Sequence, residues 1–212
     1  MLKLEAPGGE SRVLLHSCCA PCSGAVLECL LANGIRPVVF FSNSNITPFE
    51  EYELRRNELA RYCESLGVEM IDDEYDHAAW RDFVLGDAPA ALANAPERGP
   101  RCLNCFKFRL KRAAEYAAAH DLPVLTTTLA SSRWKSLEQV AEAGSWTVEQ
   151  LKTNAFQRQG MEVEDQPVSR LVFWPQNWRK GGLQERRSQI ICEQGFYNQN
   201  WCGCEFSRRN QD

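Results

Sequence analysis

Three cysteines fall within five positions directly after the first apolar run of the chain, and this feature constrains the fold most. The run is RVLLHS (12–17), and the CCAPC that follows carries Cys18, Cys19 and Cys22. A disulfide cannot easily join adjacent residues, so these thiols need partners elsewhere. The motif stands between a predicted buried strand and a predicted helix, which is where the ligand sites of open α/β sheets lie.

Strand and helix patterns alternate along the chain. Short apolar, β-branched and aromatic runs predict strands at 12–17, 36–45, 68–73 and 123–132. Helical spacing and helix start or stop signals predict helices at 23–34, 47–67 and 135–143. This rhythm predicts an α/β fold in which helices flank a mostly parallel sheet.

The remaining segments complete a prediction of one α/β domain over residues 1–212. GDAPAALANAPERGP (86–100) predicts a short helix or a loop. Residues 144–182 show no clean period and are expected to be irregular or variable. The stretch 183–212 predicts a C-terminal helix in LQERRSQIICEQGFY, followed by a tail that carries CGC.

Composition places the chain among ordinary globular proteins, with 44% hydrophobic and 25% charged residues. No apolar run approaches the length of a membrane span, and the first residues lack a secretory signal pattern. A cytoplasmic location is therefore expected, where structural disulfides are uncommon. In that setting ten cysteines predict metal or redox chemistry. The net charge of −4 argues against indiscriminate nucleic-acid binding but permits a local basic surface.

A second cysteine pair suggests a metal centre shared with the first motif. Cys102 and Cys105 form a CxxC at the start of a predicted helix, where they share a face and the helix N-terminus favours thiolates. With Cys18 and Cys19 they would supply four thiolates from two segments, as a 4Fe-4S cluster requires. A four-thiolate zinc site is the alternative, although adjacent cysteines match common zinc spacings poorly. Cys22 could be a spare thiol, a cluster ligand or a second-metal ligand.

The C-terminal CGC predicts a different chemistry. A disulfide between Cys202 and Cys204 would close a very small, strained ring that is easily reduced, which suits a reversible two-electron store. The alternative is that both thiols are metal ligands. His16 is expected to be a hydrogen-bonded structural residue rather than a ligand. Cysteines inside helical segments beside apolar residues are expected to be buried and without chemistry: Cys29, Cys63 and Cys192.

Several motifs in register carry a resemblance to a known family. They are HSCCAPC (16–22), SNSNITPFEEYELR (42–55), PERGPRCLNCFKFRL (96–110), TTTLASSRWKS (126–136) and YNQNWCGCEFS (197–207). In their order and approximate spacing they resemble the cobalamin-independent epoxyqueuosine reductases, the QueH type. Together they span most of the chain outside 144–182.

The resemblance implies an oxidoreductase that acts on tRNA. Its substrate would be epoxyqueuosine at the wobble position of the anticodon, and two electrons and two protons would convert it to queuosine with loss of the epoxide oxygen as water. The implied fold is similar to the adenine-nucleotide-binding (HUP-like) α/β domains. The implied partners are epoxyqueuosine-containing tRNA and an unidentified electron donor.

The resemblance also implies roles for the cysteines. It implies a 4Fe-4S cluster on two cysteine pairs, Cys18 with Cys19 and Cys102 with Cys105. Cys202 and Cys204 would be the redox-active pair. Relatives that hold an additional iron beside the cluster make Cys22 a candidate ligand for a second metal.

Basic residues beside the motifs are candidates for contacts with RNA phosphates, while Trp134 and Trp201 are candidates for stacking on loop bases. The alternative is that these charges form solvated faces. The basic candidates are Lys107, Arg109, Lys111, Arg112, Arg133, Lys135, Arg208 and Arg209.

Three rival functions compete with the reductase. A zinc-stabilised binding module would hold zinc in place of iron and sulfide. A nucleotide-dependent tRNA thiolase would need a Gly/Ser-rich phosphate loop after the first strand, where this chain has CCAPC. A general thiol–disulfide oxidoreductase would need only one exposed CxxC.

Overall fold

The predicted α/β class is confirmed. A computed structural model describes residues 2–159 and 167–210, apart from the side chains at 158–159 and 208–210, and in these ranges five parallel strands form one sheet. The strands are β1 (Arg12–His16), β2 (Arg36–Phe41), β3 (Met70–Asp72), β4 (Val124–Thr127) and β5 (Val172–Phe173). Four of them correspond to the strands predicted from the sequence, and β5 was not predicted.

Helices connect and cover the strands. They are α1 (Ala20–Ala32), α2 (Phe49–Ser65), α3 (His77–Leu85), α4 (Pro89–Asn94), α5 (Pro100–Ala119), α6 (Leu137–Gln159), α7 (Pro167–Arg170) and α8 (Leu183–Gln194). Single 3-10 turns occupy Pro7–Gly9, Thr128–Ser131 and Glu205–Asn210. Among the described residues, no helix is both long and apolar enough to cross a membrane.

The strand order β3-β2-β1-β4-β5 places β1 at the centre of the sheet. From β1 the chain winds outward through β2 to β3, and it then returns across the sheet to β4 on the other side of β1. The last residue of β1, His16, lies opposite Phe40 on one side and Thr127 on the other. The carboxyl ends of β1, β2 and β4 therefore meet at a topological switch point, where ligand sites form in such sheets.

Both faces of the sheet are covered, as the apolar strand sequences require. Val13 and Leu15 of β1 belong to a buried cluster with residues of α1, α2 and α8, whereas Leu14 packs with Ala113 and Ala117 of α5 on the opposite face. This alternation follows from the period of two along a strand. A fully buried leucine stabilises the fold by about 1.5–3 kcal/mol, so the central strand is a rigid base for the residues that follow it.

Both cysteine motifs open a helix for recognisable local reasons. Cys19 is the extended N-cap of α1, and Pro21 follows in its first turn, where a missing N–H costs little. Gly99 is the N-cap of α5, and Pro100 begins that helix. A β-carbon at position 99 would lie 2.9 Å from the carbonyl oxygen of Pro96, so the turn requires glycine. The two helix N-termini bring positive partial charge to the cysteines.

The prediction of an irregular segment at 144–182 was wrong for its first part. The helix expected to end near Ala143 continues as α6 to Gln159. Gly144 lies inside this helix and permits a close approach, because a β-carbon there would lie 2.3 Å from the Phe173 ring of β5. Residues 167–182 contain α7 and β5, and 160–166 lie outside the described residues.

Candidate metal and redox site

The first cysteine group forms a compact trio at the switch point. The sulfur atoms of Cys18, Cys19 and Cys22 all lie within 4.8 Å of one another, and all three residues are buried. Hydrogen bonds from the Cys19 and Cys22 thiols lower the pKa of Cys18, whereas the pKa values of Cys19 and Cys22 are raised. The trio therefore favours one thiolate, on Cys18, which is the form that binds metal.

The CxxC pair lies on the first turns of α5, with Cys105 buried and Cys102 half-buried. Burial raises the pKa of both thiols, that of Cys102 to about 11. Within the described ranges, the sulfurs of the trio lie within 4.8 Å of one another, and those of Cys102 and Cys105 do not belong to this close group. A single ion would need all its ligands close together, whereas a cluster binds each cysteine through a different iron and accepts wider spacing.

The CGC thiols lie close to the CxxC pair, as both a charge effect and a packing contact show. Negative charge on Cys202 contributes to the raised pKa values of Cys102 and Cys105. Cys204 packs with Cys105 in a small buried cluster that also contains Trp80 and Phe206. The described structure thus places both partners of the CGC motif beside the start of α5.

Within the CGC pair the two thiols have opposite tendencies. A hydrogen bond from the Cys204 thiol lowers the pKa of Cys202, with the positive charges of Lys135 and Arg109 acting in the same direction. The same hydrogen bond raises the pKa of Cys204. The pair therefore combines a thiolate at Cys202 with a protonated thiol at Cys204, and both cysteines are free in this structure.

The expected cluster ligands share a feature that the sequence did not reveal. Each of their sulfur atoms accepts a hydrogen bond from the protein: Cys18 from Thr128 Oγ1 at 3.6 Å, Cys19 from Gln199 Nε2 at 2.7 Å, Cys102 from the Arg98 main-chain nitrogen at 3.3 Å, and Cys105 from Trp80 Nε1 at 3.3 Å. Donors of this kind stabilise thiolates and orient metal ligands.

Buried Arg55 of α2 holds the CGC segment in place. Its guanidinium donates to the Cys202 carbonyl oxygen at 3.1 Å and lies 5.4 Å from the centre of the Trp201 ring. The Thr47 main-chain nitrogen donates to the Gly203 carbonyl oxygen at 2.9 Å. Gly203 has φ +100°, and a β-carbon there would lie 3.1 Å from Arg55, so glycine fits best. Each bond ties the segment to α2 or to the loop before it.

Arg109, expected to contact RNA, instead serves the interior of the site. It is buried, its Nε donates to the Ser42 carbonyl oxygen at 3.0 Å, and its guanidinium also bonds Asn43 Oδ1. Its charge lowers the pKa of Cys18 and Cys202. Placing a cation beside several thiols offsets their accumulated negative charge.

The other basic residues predicted to contact RNA differ in what they contact. Ion pairs engage those of α5: Lys107 with Glu142, Lys111 with Glu115, and Arg112 with Asp73. Lys135 is half-buried, and its pKa is raised by the cysteine charges against the effect of burial. Arg133 is exposed. The side chains of Arg208 and Arg209 lie outside the described residues.

His16 is a structural residue, as expected. Its ring Nδ1 lies 2.7 Å from Thr127 Oγ1 and its Nε2 lies 3.2 Å from the Ser42 carbonyl oxygen. Burial, with a contribution from the Arg109 charge, lowers its pKa to about 3. A neutral ring that donates from Nε2 and accepts at Nδ1 satisfies both contacts and ties β1 to the strands on either side.

The cysteines assigned no chemistry separate into two environments. Cys29 of α1 and Cys63 of α2 are buried, as predicted, and burial raises the pKa of both, that of Cys63 to about 12. The expectation that Cys192 is buried was wrong. It lies on the exposed side of α8, because the buried positions of that helix are Leu183 and Ile190.

Comparisons with known proteins agree on one family. The family model described as "Epoxyqueuosine reductase QueH" matches residues 13–210. Relatives named Epoxyqueuosine reductase QueH include the Haemophilus influenzae protein, 40% identical over 210 residues that cover 99% of this chain and 77% of the relative. The Acinetobacter baylyi protein is 38% identical over 209 residues (99% and 86%). The Thermotoga maritima protein is 30% identical over 195 residues (92% and 89%).

Proposed function

The chain belongs to the epoxyqueuosine reductase QueH family and is an oxidoreductase, and on that premise we propose that it reduces epoxyqueuosine to queuosine in tRNA. The substrate is the modified nucleoside at the wobble position of an anticodon loop. Reaching thiols at the edge of the sheet requires this nucleotide to turn out of the loop, as enzymes that act on bases generally require. The convergence of the three cysteine motifs at one edge of the sheet carries the proposal.

The proposed metal ligands are Cys18, Cys19, Cys102 and Cys105, which would hold a 4Fe-4S cluster. The donor set fits this group, because each of the sulfurs accepts a protein hydrogen bond and the cations of Arg109 and Lys135 lie near the thiols. A bound cluster supplies electrons one at a time, at a potential set by surrounding charge and hydrogen bonds. We assign Cys22 to a second iron, since its sulfur lies within 4.8 Å of those of Cys18 and Cys19.

Cys202 and Cys204 are the proposed source of the electron pair. In the overall reaction both C–O bonds of the epoxide break, a carbon–carbon double bond forms, and the oxygen leaves as water. Oxidation of the pair to a disulfide supplies the two electrons. Cys204 supplies one proton and solvent supplies the other, since Cys202 favours the thiolate, and an external reductant of the dithiol class would reduce the disulfide again. The thiolate tendency of Cys202 and the thiol tendency of Cys204 suit this role, because one sulfur is nucleophilic and the other carries a proton.

The test is direct conversion of the substrate. Anaerobically prepared, reduced protein is incubated with epoxyqueuosine-containing tRNA without added cobalamin, and the digested nucleosides are analysed by mass. We expect queuosine, with the loss of one oxygen atom. Unchanged epoxyqueuosine in the presence of iron-loaded protein and a working reductant would contradict the assignment.

A further inference from the structure

The loop that follows the Thr128–Ser131 turn after β4 carries the exposed indole of Trp134. Trp134 is 68% exposed, more than any other large hydrophobic side chain in the described part of the chain. An exposed tryptophan leaves much apolar surface in water, so a contact that covers it would be favourable. The loop belongs to the carboxyl edge of the sheet, where the cysteine motifs also lie.

The loop is held by two arginines. Arg98 donates through Nε to the Trp134 carbonyl oxygen at 2.9 Å and through its guanidinium to the Arg133 carbonyl oxygen at 3.3 Å. Arg179 donates to the Lys135 carbonyl oxygen at 2.6 Å and also to that of Ser132. Consecutive carbonyl groups from 132 to 135 are thereby fixed, which presents the indole at a defined place.

Arg98 also connects this loop to the proposed metal ligands. Its main-chain nitrogen donates to the Cys102 sulfur at 3.3 Å while its side chain reaches the loop. Lys135, next to Trp134, carries a charge that lowers the pKa of Cys18 and Cys202. Trp134 therefore belongs to a loop that is held by Arg98, the residue that is hydrogen-bonded to the Cys102 sulfur.

The surroundings of Trp134 are positively charged. The Arg133 guanidinium lies 5.6 Å from the centre of the indole, and the side chains of Arg98, Lys135 and Arg179 come from the same loop or bond to it. Glu138 is a carboxylate at this rim, and it accepts a hydrogen bond from the Ser136 hydroxyl at 2.6 Å. Cations beside an open aromatic face suit a single-stranded nucleic acid, whose bases stack and whose phosphates are anionic.

We propose that Trp134 and Arg133 form the docking surface for the anticodon loop. The indole stacks on an unpaired base beside the flipped nucleotide, and Arg133 contacts an adjacent phosphate. Trp201, the other predicted stacking residue, is half-buried against Arg55, which is itself buried, whereas Arg133 is exposed and leaves Trp134 68% exposed. This inference rests on the proposed function for the identity of its ligand.

The test measures binding of a synthetic anticodon stem–loop RNA with guanosine at the wobble position, by fluorescence anisotropy at fixed salt. Trp134→Ala is expected to weaken binding by about tenfold, within the range for loss of one stacked base, and Trp134→Phe to recover most of it. Phe156→Ala is the matched control, because Phe156 is an exposed aromatic (54%) on α6 that is outside the Trp134 loop. It should bind like the unaltered protein.

Arg133→Gln tests the phosphate contact separately. It should reduce the slope of log affinity against log salt by about one, whereas Trp134→Ala should leave that slope unchanged. Equal affinities for Trp134→Ala, Phe156→Ala and the unaltered protein would overturn the docking surface, as would an unaltered protein that binds no stem–loop. Failure of the proposed function appears elsewhere, as unconverted epoxyqueuosine in the turnover assay of the unaltered protein.

Discussion

The cysteines at the carboxyl edge of the sheet and the cysteines inside helices α1 and α2 lie in different environments. Those at the carboxyl edge of the sheet follow β1, open α5 or lie in the CGC tail, where hydrogen-bond donors and cations surround the sulfurs. Those inside α1 and α2, Cys29 and Cys63, pack in the apolar core. At the edge the pKa values of two thiols, Cys18 and Cys202, are lowered, whereas in the core burial raises the pKa of Cys63 to about 12. Position in the fold, and not the residue type, therefore assigns the chemistry.

The largest predicted difference between the two sets concerns metal content. Cys105→Ser should lose most of the bound iron and all measurable turnover, because it removes a proposed ligand sulfur. Cys63→Ala, the matched control from the core, should keep both. Iron and turnover are measured on anaerobically purified variants. Equal iron content in the two variants would mean that the edge cysteine binds the metal no more than the core cysteine does.

Within the edge set, the CGC pair is expected to differ from the proposed metal ligands in its effect on the cluster. Cys204→Ser should keep the visible absorption of the proposed cluster and lose turnover, because a single thiol cannot form the disulfide whose formation would release the electron pair. Absorption spectra and the nucleoside assay check the two properties on the same sample. Loss of the absorption would instead identify CGC as a ligand pair.

A smaller effect is expected from the donor to Cys19. Gln199→Leu removes the hydrogen bond to that sulfur, and loss of such outer partners typically lowers metal affinity or activity by about 10- to 100-fold. The midpoint potential of the bound cluster should also fall, because a hydrogen bond to sulfur stabilises the reduced form. Asn198→Ala is the neighbouring control, since Asn198 bonds Arg187. Matching potentials in both variants would mean that the Gln199 bond has no tuning role.

The smallest predicted difference concerns how fast the Cys202 and Cys63 thiols are alkylated in the metal-free, reduced protein. Alkylation needs the thiolate, so Cys202, whose pKa is lowered, should be modified by iodoacetamide near neutral pH. Cys63 should stay unmodified until the pH approaches its pKa of about 12 or the protein unfolds. Peptide mass spectrometry over a pH series measures both. Modification of Cys63 at the rate of Cys202 would contradict the assigned environments.

The strands that carry the site could be predicted because their apolar runs are long and bounded by turn residues. Strand β5 was missed because it has two residues and too little sequence to show a period. The extent of α6 was missed because the sequence from Gly144 onward shows no clean helical period, and the packing of Gly144 on Phe173 leaves no local signal. Local patterns do not encode tertiary contacts of this kind.

The site shows the same limit. The cysteine motifs and their convergence at the edge of the sheet could be predicted, since the carboxyl ends of parallel strands share one side. Trp80 and Gln199, which donate to the sulfurs of Cys105 and Cys19, come from a distant helix and from the tail and have no spacing signal. Arg109 was expected at the surface because its neighbours on α5 are charged, yet it points into the core. Sequence spacing predicts candidate ligands, whereas the groups around them emerge only from the folded chain.

The most direct measurement is iron and acid-labile sulfide in anaerobically purified protein. A 4Fe-4S cluster on Cys18, Cys19, Cys102 and Cys105 predicts about four irons and about four sulfides per chain, with about one further iron where Cys22 holds the second metal, together with a brown colour. Colourless protein whose four thiols hold a stoichiometric zinc ion, with no sulfide, would contradict the proposed iron–sulfur cluster.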